Sequence, residues 1–85
     1  MESGTEMIHL DLRGSISIFA LLKVSNAFKE LTGGEILELV WNDPELLDQI
    51  FKILPELSYQ VIKNETIKKN DPYFRIKIKK YYMQK

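Results

Sequence analysis

Between Ile8 and Leu54 the apolar residues switch from strand-like alternation to a helical repeat, and the chain makes that switch twice. In 85 residues such a pattern leaves room for little but two β-to-α units and a short remainder. Ile8, Leu10 and Leu12 alternate with His9, Asp11 and Arg13, which marks a half-buried strand. Gly14 breaks the run. From Ile18 the stripe Ile18, Leu21, Leu22, Ser25, Phe28 and Leu31 follows a helical period. Ser17 stands at the N-cap position of this helix, and Gly33-Gly34 supplies its stop.

A second strand is predicted over Glu35 to Trp41, with Leu37, Leu39 and Trp41 on one face. Asn42-Asp43-Pro44 then opens a second helix, a capping carboxylate followed by proline in the first turn. Leu46, Leu47, Ile50 and Leu54 form its apolar stripe, and Pro55 ends it. A third strand is expected from Ser58 to Asn64. Lys68-Lys69-Asn70-Asp71-Pro72 is turn material. The last strand runs from Tyr73 to about Tyr82, with Phe74, Ile76 and Ile78 inward and Arg75, Lys77 and Lys79 outward. The expected fold is therefore α/β, a two-layer βαβαββ sandwich with a mixed four-stranded sheet and two helices on one face. One domain spans residues 1–85, with its core at about 7–82.

The charge is zero overall but unevenly placed. Residues 1–56 hold four cations and ten anions, while residues 57–85 hold eight cations and two anions. The two parts are expected to attract each other on folding; the asymmetry also suits an interaction surface. No cysteine is present, which excludes disulfides, thiolate metal sites and a persulfide on this chain. No apolar run approaches the ~18 residues of a membrane span, and the polar start shows no export signal, so the expected location is cytoplasmic.

Leu10-Asp11-Leu12-Arg13-Gly14, then Gly33-Gly34-Glu35, then Asn42-Asp43-Pro44 and the basic final hairpin together resemble the TusA/SirA sulfur-carrier family. The likeness extends from Ile8 to about Lys80 and rests on order and spacing rather than on one motif. In that family a Cys-Pro-x-Pro motif follows the glycine and opens the first helix. The resemblance implies that its cysteine receives a persulfide sulfur from a desulfurase and passes it on. Here the cysteine position is Ser17 and the two proline positions are Ile18 and Ala20. A serine hydroxyl does not carry a persulfide, and His9 is the only histidine present to serve as a base. Sulfurtransferase activity is therefore not expected, and no cofactor is implied.

Several residues have both a plain and a functional reading. As an N-cap, Ser17 contributes ~1 kcal/mol; with Arg13, Gly14 and Ser15 it could also hold an anion or a partner's segment at the helix entrance. His9 reads as a solvent-facing side chain, without a second residue spaced to share a metal. Lys68, Lys69, Arg75, Lys77, Lys79 and Lys80 form a basic stripe interleaved with Tyr73, Tyr81 and Tyr82. Such a stripe blocks edge-to-edge aggregation, docks an acidic protein or contacts nucleic acid. Two functions follow. The first is a non-catalytic, partner-binding or regulatory member of a sulfur-relay-type family, its partner a sulfurtransferase or redox subunit. The second is nucleic-acid binding through the basic hairpin, which suits a fold that also resembles the C-terminal domain of bacterial translation initiation factor three.

Overall fold

The structure is a computed structural model that describes residues 7–68 and 70–81. Strand β1 covers Met7–Asp11, helix α1 Ser17–Glu30, strand β2 Ile36–Trp41, helix α2 Leu46–Ile53, strand β3 Tyr59–Ile67 and strand β4 Tyr73–Lys80. The strands form one mixed sheet in the order β1-β2-β4-β3. β1 and β2 are parallel, as the α1 crossover requires, and β4 runs antiparallel to both β2 and β3. β4 therefore returns into the middle of the sheet, between β2 and β3.

Alternation along the two central strands decides what is buried. Leu37, Leu39 and Trp41 of β2 lie opposite Ile78, Ile76 and Phe74 of β4 on one face. Ala20, Val24 and Phe28 of α1 and Leu46 and Ile50 of α2 join that face in a single core, so both helices lie on the same side of the sheet. Trp41 is 2% exposed, and its ring lies 5.6 Å from that of Phe74. Phe51 and Tyr59 stack, and Phe28 meets Tyr59 edge to face, which ties both helices to the start of β3.

Four expectations are corrected. Strand β1 stops at Asp11, because Arg13 folds back onto the Asp11 carboxylate instead of extending the ladder. Helix α1 turns its Ala20, Val24 and Phe28 side inward, so Ile18 and Leu22 are exposed at 63% and 54%. Its first turn is apolar on nearly every side, and a helical repeat read from such a turn does not say which side meets the sheet. Helix α1 ends at Glu30, before the glycines; Gly34 instead takes a left-handed turn, φ +89°, that leads into β2. Strand β3 continues three residues past Asn64, to Ile67, because β4 offers partners along that whole length. At the other end of β4, Tyr82 lies outside the described residues.

The end of α1 is closed by the far end of the chain. Lys80 Nζ donates to the carbonyls of Phe28 and Leu31 at 3.1 and 2.9 Å and sits over the Phe28 ring. It satisfies carbonyls a helix end leaves open and meets the negative end of the helix dipole.

Ile50 is fully buried at the centre of the core. Ile50→Ala is expected to cost about 2–5 kcal/mol, a large share of the stability of so small a domain. Urea denaturation followed by circular dichroism checks this as a lower midpoint with an unchanged slope.

Candidate functional site: the α1 entrance and the open sheet face

The carboxyl ends of β1 and β2 lead into the two helices, and α1 presents its N-terminus there. Leu12 is tied to the sheet by its N–H to Val40 O at 2.7 Å, and Ser15 N–H closes a turn onto Leu12 O at 3.1 Å. Gly14 supplies the left-handed conformation of that turn, φ +77°. Ile16 occupies the cap position with extended backbone, and its carbonyl accepts the N–H of Ala20 at 2.9 Å. The N–H groups of Ser17, Ile18 and Phe19 have no backbone acceptor among the described residues. No acidic residue occupies the first turn. The positive end of the helix dipole is thus uncompensated by the helix itself.

Ser17 is the first helical residue and not the cap, a correction to the sequence expectation. Among the described residues no side chain makes a capping bond to the N-terminus of α1. The physical reason is a shift of one residue: Ile16 takes the extended conformation of the cap, so the serine hydroxyl sits a position too late. At α2 the Asp43 carboxylate does accept a backbone N–H, that of Glu45 at 3.0 Å, one turn before the regular helix begins at Leu46. On the outward side of the cap and first turns of α1, Ile16, Ile18, Phe19 and Leu22 are 64%, 63%, 56% and 54% exposed.

Arg13 is not aimed at this entrance. Its guanidinium makes a bidentate contact with Asp11, Nε at 2.9 Å and Nη2 at 2.7 Å, and lies 4.8 Å from the centre of the Tyr73 ring. Asp11 and Tyr73 both belong to the open face of the sheet, so Arg13 bridges β1 to β4 across the end of β2. The guanidinium and the backbone N–H of Arg13 lower the Asp11 carboxyl to about 2. Among Arg13, Gly14, Ser15 and Ser17, the structure therefore gathers the last three at the helix entrance and leaves Arg13 on another surface.

The open face carries a line of alternating charge. His9 of β1 lies beside Glu38 of β2, which faces Lys77 of β4; Arg75 of β4 faces Glu65 of β3. Glu38 is 7% exposed, its carboxylate in contact with His9 Nδ1 and 3.9–4.0 Å from Lys77 Nζ and Arg75 Nε. Arg75 donates to Glu65 through Nε at 2.6 Å and lowers that carboxyl's affinity for a proton. Lys63 adds a longer contact to Glu65 at 3.7 Å.

The predicted basic stripe is thereby divided. Arg75 and Lys77 are engaged with carboxylates on the open face, and Lys80 is turned to the helix side. Lys79 remains on the open face opposite Ile36 and Gln60, and Lys68 lies in the exposed turn. Lys69 lies outside the described residues. What sequence reasoning missed here is the burial of Glu38. Its signal was the alternation itself, which puts Glu38 at a central strand between a histidine and two cations. The exposed apolar group at α1 was also missed: the helical stripe takes Ile18 and Leu22 inward and leaves Ile16 and Phe19 without a role. No helix among the described residues is long and apolar enough to cross a membrane.

Fold and entrance together define a two-layer α/β domain that presents an open helix N-terminus at the carboxyl edge of its parallel strands. Residues 8–80 match the family model described as Sulfurtransferase TusA, and the chain belongs to that family. No curated protein matches it.

Two measurements test this geometry. Because Ser17 caps nothing, Ser17→Ala is expected to change unfolding free energy by less than ~0.5 kcal/mol, where loss of a cap costs ~1 kcal/mol. The Asp11 carboxyl titrates lower folded than unfolded, so its pairing stabilises the fold above the ordinary carboxylate range and is lost as pH falls towards 2. Both partners are about half exposed, so the effect is small. Arg13→Ala is expected to return the Asp11 titration, followed by carbon-detected NMR, to near 3.9.

Proposed function

We propose that this protein is a TusA-family member that binds a protein partner at the α1 entrance and does not itself carry sulfur. The observation that supports this most is the composition of that entrance. A chain without cysteine holds Ser17 where the family resemblance places the sulfur-bearing residue. Exposed Ile16, Ile18, Phe19 and Leu22 stand at the cap and in the first two turns of the same helix. A thiolate or persulfide at this position would gain from the unpaired N–H groups and the dipole. A serine gains little from either, since its hydroxyl stays neutral without a base. What the entrance keeps is a place for a partner to dock.

The apolar side chains at this entrance suit that role. Four large side chains left half or more exposed on one small domain form the kind of patch that marks a protein contact. The partner fitting a sulfur-relay family is a sulfurtransferase or redox subunit, met in the cytoplasm. The chain is then a regulatory or scaffolding member of the relay, not an enzyme. Nucleic-acid binding through the hairpin has less to support it, because Arg75 and Lys77 already serve Glu65 and Glu38.

The test is affinity capture from the source cell, with nuclease and without, using the wild type beside Ile18→Asp/Phe19→Asp and Lys77→Glu/Lys79→Glu. A sulfurtransferase or redox subunit is expected to be retained after nuclease and lost with the α1 variant. Titration of the purified pair should show at least a tenfold loss of affinity, about 1.4 kcal/mol, with the melting temperature of the variant unchanged. Retention by the α1 variant with loss in the lysine variant would overturn the reading, as would labelled sulfur taken up by the wild type from a cysteine desulfurase.

A further inference from the structure

Strand β3 is an edge of the sheet, and among the described residues it pairs only with β4. It is nine residues long, holds neither glycine nor proline, and is exposed along most of its length. Val61 and Ile62 are 40% and 42% exposed. A strand of this kind presents unpaired backbone donors and acceptors to any second strand that matches it. The question is what it matches.

The strand is complementary to itself. Reading outward from Asn64, a cation stands one residue before and an anion one residue after, Lys63 and Glu65; two residues out are Ile62 and Thr66. In an antiparallel pair of two copies centred on Asn64, each Lys63 falls opposite the other copy's Glu65, and Ile62, which lies at the irregularity in β3, is outside the regular pairing. Directly opposed residues share a face in such a pair. Lys63 and Glu65 both point to the open face, where they oppose Lys77 and Arg75 of β4. A shift by one residue in either direction would bring like charges or unmatched residues together and lose both ion pairs. The chain's net charge of zero adds no general repulsion between copies.

We propose that β3 is a homodimer contact, in which two copies pair antiparallel about Asn64 to make one eight-stranded sheet. The two-fold axis passes through the Asn64 pair, perpendicular to the sheet, so the helices of both copies lie on one side. The α1 entrances fall at opposite edges and stay uncovered. The inference does not depend on the role proposed for α1. The irregularity between Val61 and Lys63 limits the regular pairing to the segment around Asn64. So short a contact is weak, and the dimer is concentration-dependent.

The absence of cysteine gives a clean test. In Asn64→Cys the axis places the two introduced thiols opposite each other, within disulfide reach. In Thr66→Cys the two copies stand four residues apart along the strands, roughly 13 Å, too far to bridge. Mild oxidation is expected to link Asn64→Cys into a species of twice the 10.0 kDa chain mass, at least tenfold faster than Thr66→Cys. Sedimentation of the unmodified chain should show mass rising towards the dimer with concentration. Lys63→Glu and Glu65→Lys should each sediment as monomers, and their mixture should recover the dimer, since the opposed charges then match again. Thermal melts of both variants show whether the fold survives each change. Equal oxidation rates for the two cysteine variants would overturn the proposal, as would a monomer at every concentration or a mixture no heavier than its parts.

Discussion

The pairing of β2 with β4 is the contact on which the rest of the structure depends. It joins the acidic first part of the chain to its basic last part, and it does so on both faces at once. On the helix side Leu37, Leu39 and Trp41 meet Ile78, Ile76 and Phe74. On the other side Glu38 meets Lys77 and Arg75. Without β4 in the centre, the β1-α1-β2 and α2-β3 portions would share no ladder. The same strand ends in Lys80, which closes α1, so the fourth strand fixes the first helix in place. Folding therefore waits on a non-local contact, and such topologies fold more slowly than helical domains of this size.

Much of this was legible in the sequence, for a specific reason. Alternation on a strand has a period of two, so once Ile76 and Ile78 are placed inward, Arg75 and Lys77 must point the other way. Helix α2 was equally readable, because Leu46 and Ile50, with Leu54 at its C-cap, face one side and Asp48 and Lys52 occupy the other. The order of the strands was not readable. Local patterning says that β3 and β4 form an antiparallel pair, but not that β4 enters the sheet beside β2.

The α1 entrance shows where a periodic reading fails. Ile16, Ile18, Phe19, Ala20, Leu21 and Leu22 form a nearly continuous apolar run, and several helical stripes fit it equally well. Small Ala20 lies inward, fully buried, where it lets α1 approach the sheet closely; larger Ile18 and Leu22 are turned out. Ala20 shares that inward side with Val24 and Phe28. Lys80 was misread because it is the last residue of β4, where its long side chain reaches on the helix side to the end of α1.

The open face of the sheet and the α1 entrance have different standing. On the open face nearly every charge has an opposite neighbour, from His9 and Glu38 to Arg75, Glu65 and Lys63. Glu38 is the most constrained of these, since a carboxylate buried to this degree is costly unless cations surround it. A polyanion approaching this face would have to take Arg75 and Lys77 from carboxylates that already hold them, and would leave Glu38 buried without its partners. At the α1 entrance nothing has to be displaced. The apolar side chains there are exposed and the N–H groups have no backbone acceptor among the described residues, so covering them would bury apolar surface without breaking a contact within the fold. The asymmetry is one of composition: most charges of the open face are paired, while the α1 entrance keeps exposed apolar side chains and open N–H groups.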